Sequence, residues 1–88
     1  MVNEGEYVAI FNSVHRVMKA EKLLKGDKLP MLLIPAPRAL SSDCGLAIRY
    51  AASDRLRIET LLSGAALLPE EIYCKSGDHF TRVEESHL

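Results

Sequence analysis

Apolar residues in this chain follow two rhythms, and their order leaves few folds open. Glu6 to Phe11 (EYVAIF), Leu29 to Ile34, Gly45 to Tyr50 and Glu70 to Cys74 are short apolar runs of strand character. Between the first two, Val14, Val17, Met18, Ala20 and Leu24 share one arc at about 100° per residue, which predicts a helix over 14–25. Asn12 or Ser13 can cap its start, and Gly26 suits the left-handed position that closes a helix. Between the last two, Ile58, Leu61, Leu62 and Ala65 form a second stripe, with Ser53 or Asp54 as cap and Gly64 near its end. The order βαββαβ predicts an α+β domain of the ferredoxin-like, split-βαβ plan. In it a four-stranded antiparallel sheet, in the order 4-1-3-2, carries two helices on one face. Residues 1–74 form this single domain, and the polar residues 75–88 form a C-terminal tail.

Strand details follow. Pro30 removes a backbone donor from the second strand and places it at a sheet edge, and Pro35 and Pro37 stop it. Strand 1 presents Tyr7, Ala9 and Phe11 to one face and Val8 and Ile10 to the other. The face without helices therefore keeps an apolar patch, to be buried by a homodimer formed sheet to sheet or by the tail. Arg49 points to that face.

Composition narrows the function. A chain of 88 residues holds one domain, and a net charge of −1 gives no long-range pull toward nucleic acid or an anionic membrane. No apolar run approaches the ~20 residues of a membrane span. Met1 to Glu6 is acidic and polar, unlike an export signal, so the expected location is cytoplasmic. The two cysteines, Cys44 and Cys74, are too few for a secreted disulfide scaffold and read as reduced thiols. No CxxC or HxxxH pattern supplies metal ligands, and His15, His79 and His87 are scattered, so no metal and no cofactor is expected. The open sheet face of RNA-binding domains has its own aromatic pattern and basic balance, both missing here.

Chemistry concentrates in the loop Arg38-Ala39-Leu40-Ser41-Ser42-Asp43-Cys44-Gly45. Ser41, Ser42 and Gly45 allow successive N–H groups to converge into a cup for an anion, such as a thiolate or persulfide on Cys44. Arg38 adds a permanent positive charge. An accessible cysteine held this way has a lowered pKa. The alternative is that Cys44 is a small half-buried hydrophobe beside a turn. In the predicted plan the loop and Cys74 share one sheet edge. Helix 1 starts at the other edge and runs toward the loop, so Glu21, Lys22 and Lys25 approach Cys44 while His15 stays far. Helix C-termini then face the loop and, with Asp43, oppose thiolate formation. Glu21, inside the apolar arc, either braces the loop through Arg38, Ser41 or Ser42, or snorkels off the helix side. Cys74 is either a resolving thiol or a plain strand-end cysteine.

The run from Ile34 to Arg49, with Pro-Arg at 37–38 and Ser-Ser-x-Cys-Gly at 41–45, resembles the Se/S carrier protein-like family of short bacterial domains. Ser13, His15 and the run Lys19 to Lys25 agree, and the likeness spans about Glu6 to Tyr73. The resemblance implies a carrier more than an enzyme. Cys44 would hold a persulfide or selenosulfide, Arg38 would be the loop arginine, and the role would be related to that of TusA/SirA-type sulfur relay proteins. The implied partners are a sulfur or selenium donor, such as a cysteine desulfurase, and a TusA-like acceptor. In TusA-like proteins the active cysteine precedes a helix, whereas Cys44 precedes a strand. Two further readings stay open: a small ACT-like regulatory or assembly module that dimerises through its open sheet and binds an anion in the loop, and a thiol redox sensor using Cys44 and Cys74.

Overall fold

A computed structural model of the chain describes residues 2–40 and 45–83. Strand β1 (Tyr7–Ile10) is followed by helix α1 (Val14–Gly26), strands β2 (Leu32–Pro35) and β3 (Leu46–Tyr50), a short 3-10 turn (Ala52–Asp54), helix α2 (Arg55–Gly64), and strands β4 (Glu71–Ser76) and β5 (His79–Arg82). All pairings are antiparallel, in the order β2-β3-β1-β4-β5. The α+β class is as expected, but the sheet has five strands, not four. The fifth comes from residues read as tail. Ser76-Gly77-Asp78-His79 makes a two-residue hairpin with Gly77 at φ 60° and no positive φ at Asp78. That is the turn in which glycine takes the first central position, and its twist matches the strands it joins.

Alternation along the strands builds two cores. Tyr7, Ala9, Phe11, Ile48 and Tyr50 pack under the helices with Val17, Ala20, Leu24, Ile58 and Leu62. Val8, Ile10, Ile34 and Ala47 face the other way, and Leu40, Val2, Ala36, Tyr73 and Phe80 pack over them. The apolar patch expected on the open face is thus covered by the chain itself. The amino-terminal segment turns back through a Glu6 N–H to Asn3 carbonyl bond of 3.0 Å, and Gly5 N–H donates to Lys75 at 3.0 Å. This brings Val2 over the sheet. Val8 and Ala47 are 0% exposed and Ile10 3%, so the first-strand patch is buried within the chain.

Strand β2 is an edge, but Pro30 lies before it rather than within it. Its register with β3, continued by an Ala36 N–H to Gly45 carbonyl bond of 2.9 Å, turns the backbone groups of Leu32 and Ile34 toward β3. Those of Leu33 and Pro35 face the outer margin. Proline has no N–H, so Leu33 supplies the one strand donor there among the described residues.

Ser13 caps α1, accepting from the Arg16 N–H at 3.1 Å. Asp54 precedes α2 but makes no side-chain cap, and neither does Ser53, which sits inside the 3-10 turn. Both helices end alike. In α1 Leu29 N–H donates to Leu24 and Lys28 N–H to Lys25, both at 3.0 Å; in α2 Leu67 donates to Leu62 at 2.9 Å and Ala66 to Ser63 at 3.2 Å. This is a Schellman ending, with a leucine pair (24 and 29, 62 and 67) clasped beneath it. Gly26 and Gly64 are the last helical residues, so the left-handed position falls instead on Lys28 and Ala66, both at φ 59°. A side chain there costs about 1–2 kcal/mol.

One buried charge orients α2. Glu59, 4% exposed, accepts from the Tyr50 hydroxyl at 2.9 Å and the Arg55 Nε at 2.9 Å. Arg55 also lies 4.7 Å over the Tyr7 ring, which stacks on Tyr50 at 5.9 Å. Burial drives the Tyr50 phenol well above the ordinary tyrosine range, and the neighbouring Glu59 charge and hydrogen bond push the same way.

Two predictions follow from these features. Lys28→Gly and Ala66→Gly are each expected to raise stability by about 0.5–1 kcal/mol in urea unfolding, since relief of the left-handed side chain exceeds glycine's entropic cost. Above pH 10 the unfolded chain ionises Tyr50 while the fold keeps it protonated, so stability falls as pH rises, at up to about 1.4 kcal/mol per unit. Tyr50→Phe is expected to lower stability at neutral pH yet flatten that alkaline slope. It does not abolish it, because Tyr73 is also raised, chiefly by its hydrogen bond to Glu71.

Candidate functional site

The loop between β2 and β3 is held at both of its described ends. At one end Leu40 N–H donates to the Pro37 carbonyl at 2.9 Å, closing a turn with Arg38 and Ala39 at its centre. Leu40 then buries its side chain against Val8, Ile10, Ile34 and Ala47. That burial contributes about 1.5–3 kcal/mol, enough to offset the ~1–2 kcal/mol of ordering a residue. At the other end Gly45 receives the Ala36 N–H and adopts φ 73°, a conformation that disfavours any side chain. Arg38 is exposed on the turn. Ser41, Ser42, Asp43 and Cys44 lie outside the described residues, so the N–H cup and the thiol at its centre do too. The fixed points on either side are Leu40 and Gly45.

Strand register decides what surrounds this loop. Ile10, at the end of β1, pairs with Ala47 at the start of β3 and with Glu71 at the start of β4, and Pro35 pairs with Leu46. The loop's ends therefore share an edge with the end of β1, the start of α1, the exit of α2 and the start of β4. This corrects the expected geometry. Helix α1 begins at the loop's edge and runs away from it, so Ser13 and His15 stand at that edge, while Lys22 and Lys25 lie toward the other. Glu21 pairs with Lys25 at 3.1 Å, one turn along its own helix.

Cys74 is displaced in the same way. It pairs with Tyr7, three residues and about 10 Å along β1 from the loop's edge. It is a half-buried free thiol whose Sγ lies 3.8 Å from the Lys75 carbonyl.

The helix ends at this edge also differ from those expected. The amino end of α1, with its partial positive charge, faces the loop's edge, where carboxyl ends were expected. The carboxyl end of α2 is there as well. Arg16 answers it by donating to the carbonyls of Ala66 at 3.4 Å and Leu68 at 3.2 Å. The edge therefore carries a positive helix end, a guanidinium on the negative one and Arg38 on the loop, together with Glu70 and Glu71 at the start of β4, of which Glu71 pairs with Arg82 at 3.7 Å.

Glu59 and its partners lie at the opposite edge, where β3 leads into α2. The Arg55–Glu59 spacing of four is legible in the sequence; Tyr50 joins them only through the fold. Among the described residues no group of three or more His, Cys, Asp or Glu side chains is placed to hold a metal ion, and no helix is long and apolar enough to cross a membrane.

Comparison with known proteins adds one finding. No curated protein and no solved structure matches the chain. The model of one family, described as "Putative Se/S carrier protein-like", matches residues 6–74, from the start of β1 through Cys74, and so takes in the whole loop. The chain therefore belongs to the Se/S carrier protein-like family.

Proposed function

We propose that this protein carries sulfur or selenium as a persulfide or selenosulfide on Cys44, between a donor protein and an acceptor. Membership of the family carries the reading. The fixed geometry on either side of the cysteine supports it: a turn pinned by Leu40 and a glycine at φ 73° bracket four small or polar residues. Short polar residues between two anchored points suit converging N–H groups. The positive end of α1 and the Arg38 guanidinium favour an anion at this edge.

The transfer balances without any added oxidant. The Cys44 thiolate attacks the terminal sulfur of a donor persulfide, the donor S–S bond breaks, and the donor leaves as a thiolate. Cys44 then bears the new S–S bond and the terminal sulfur, with selenium behaving alike. An acceptor nucleophile reverses the step. A cysteine desulfurase suits the donor role and a TusA-like protein the acceptor role. The protein holds the atom and accelerates no other reaction.

Incubation with a cysteine desulfurase, cysteine and pyridoxal phosphate is expected to add ~32 Da per sulfur to the intact chain. The adduct should persist in Cys74→Ser and vanish in Cys44→Ser; an adduct on Cys74 alone would refute the proposal. In a Cys74→Ser background, Arg38→Ala is expected to raise the apparent pKa of the remaining thiol, followed by thiolate absorbance. An unchanged titration would remove Arg38 from the site.

A further inference from the structure

The helical layer carries a hollow that the carrier reading leaves unused. It lies between α1 and the exit of α2, takes up about 380 Å³, and is lined by Lys19, Lys22, Leu23, Ala65 and Leu67. Its origin is in the sequence. At the exit of α2 the run Ser63-Gly64-Ala65-Ala66 is all small residues, and of these Ala65 borders the hollow with only a methyl group. Leu67 is held in place by the Schellman bond to Leu62, and Arg16 ties down the carbonyls on either side of it. The Leu67 side of the hollow is thus held in place.

Charge around it is lopsided. Helix α1 bears Arg16, Lys19, Lys22 and Lys25 against the single acid Glu21. Glu21 pairs with Lys25, and Arg16 is engaged by carbonyls. Lys19 and Lys22 have no ion pair among the described residues. Two ammonium groups therefore rim an apolar floor, on a chain whose net charge is −1. We infer that this hollow docks an acidic segment of a protein partner, which lays an apolar side chain on Leu23 and Leu67 and turns carboxylates to Lys19 and Lys22. The inference rests on the carrier reading for the partner's role, as donor or acceptor of sulfur, and on charge and shape for its chemistry. Anionic membranes recruit clusters of about 4–8 basic residues, and nucleic acid needs a continuous basic track. A recessed floor with two charges matches neither.

The test uses amide chemical shifts of the full chain titrated with three synthetic peptides: one amphipathic peptide of Glu and Leu only, the same peptide with Lys for Glu, and the same with Ser for Leu. The Glu/Leu peptide is expected to shift the amides of Leu23, Ala65 and Leu67, less so as salt rises. Its affinity should fall about tenfold or more in Lys19→Glu/Lys22→Glu. Ala65→Phe, at a backbone of φ −99° that accepts a side chain, fills the hollow and should abolish the response. Equal shifts from the Lys peptide, shifts centred elsewhere, or indifference to both variants would overturn the proposal. So would Lys19- and Lys22-dependent binding to phosphatidylserine vesicles with no peptide response. Sulfur loading from inorganic polysulfide, read by intact mass, should be unchanged in the variants. Failure of that loading in the unaltered chain would remove the carrier reading and leave the peptide result standing.

Discussion

Strand β1 must be buried on both sides. Val8, Ala9, Ile10 and Phe11 alternate between the two faces, and none is more than 3% exposed. A small domain buries a limited fraction of its surface, so two covered faces are hard to supply from 88 residues. Two helices cover one face. The other is covered by pieces from several places: the amino-terminal segment, the β2–β3 loop and the β4–β5 hairpin. The hairpin is thus more than an extra strand, since it carries Phe80 onto the second core.

That economy ties the candidate site to the fold. Leu40 belongs at once to the loop and to the second core, so the described end of the loop at Leu40 is anchored by the burial that completes the sheet. The helices add to this from the other face. α1 begins at the loop's edge, α2 ends there, and Arg16 spans from one to the other. The edge mixes both signs: the amino end of α1, Arg16 and Arg38 are positive, while the carboxyl end of α2 and the carboxylates of Glu70 and Glu71 are negative.

Much of the fold was legible in the sequence. Periodicity located both helices, alternation sorted strand 1 into its two faces, and Ser13 was recognisable as a cap. The family likeness rested on a loop motif whose spacing is visible without coordinates. What escaped had definite causes. Gly77-Asp78 is a hairpin dipeptide, but it lies among polar residues and was absorbed into a tail. Gly26 suits the left-handed position by composition, whereas the Leu-x-Gly-x-x-Leu pattern shared by both helix ends places its glycine two residues before that position. The edge assignment went wrong on chain direction: a helix that follows a strand returns antiparallel to it, so α1 had to begin where β1 ends. The role of Glu59 was beyond reach, because Tyr50 meets it only when α2 folds over β3. The order of strands β2-β3-β1-β4 was readable, and the arrangement of 41–44 lies outside what the structure describes.

The proline at the end of β2 has a wider consequence. Sheet margins are where foreign chains add themselves as new strands, a route to aggregation and to recognition alike. With Leu33 as its single strand donor, the β2 margin is a poor template for either. A visitor approaching from that side finds little backbone to zip onto and must be recognised by side-chain chemistry, which favours brief, specific encounters over lasting fusion of sheets.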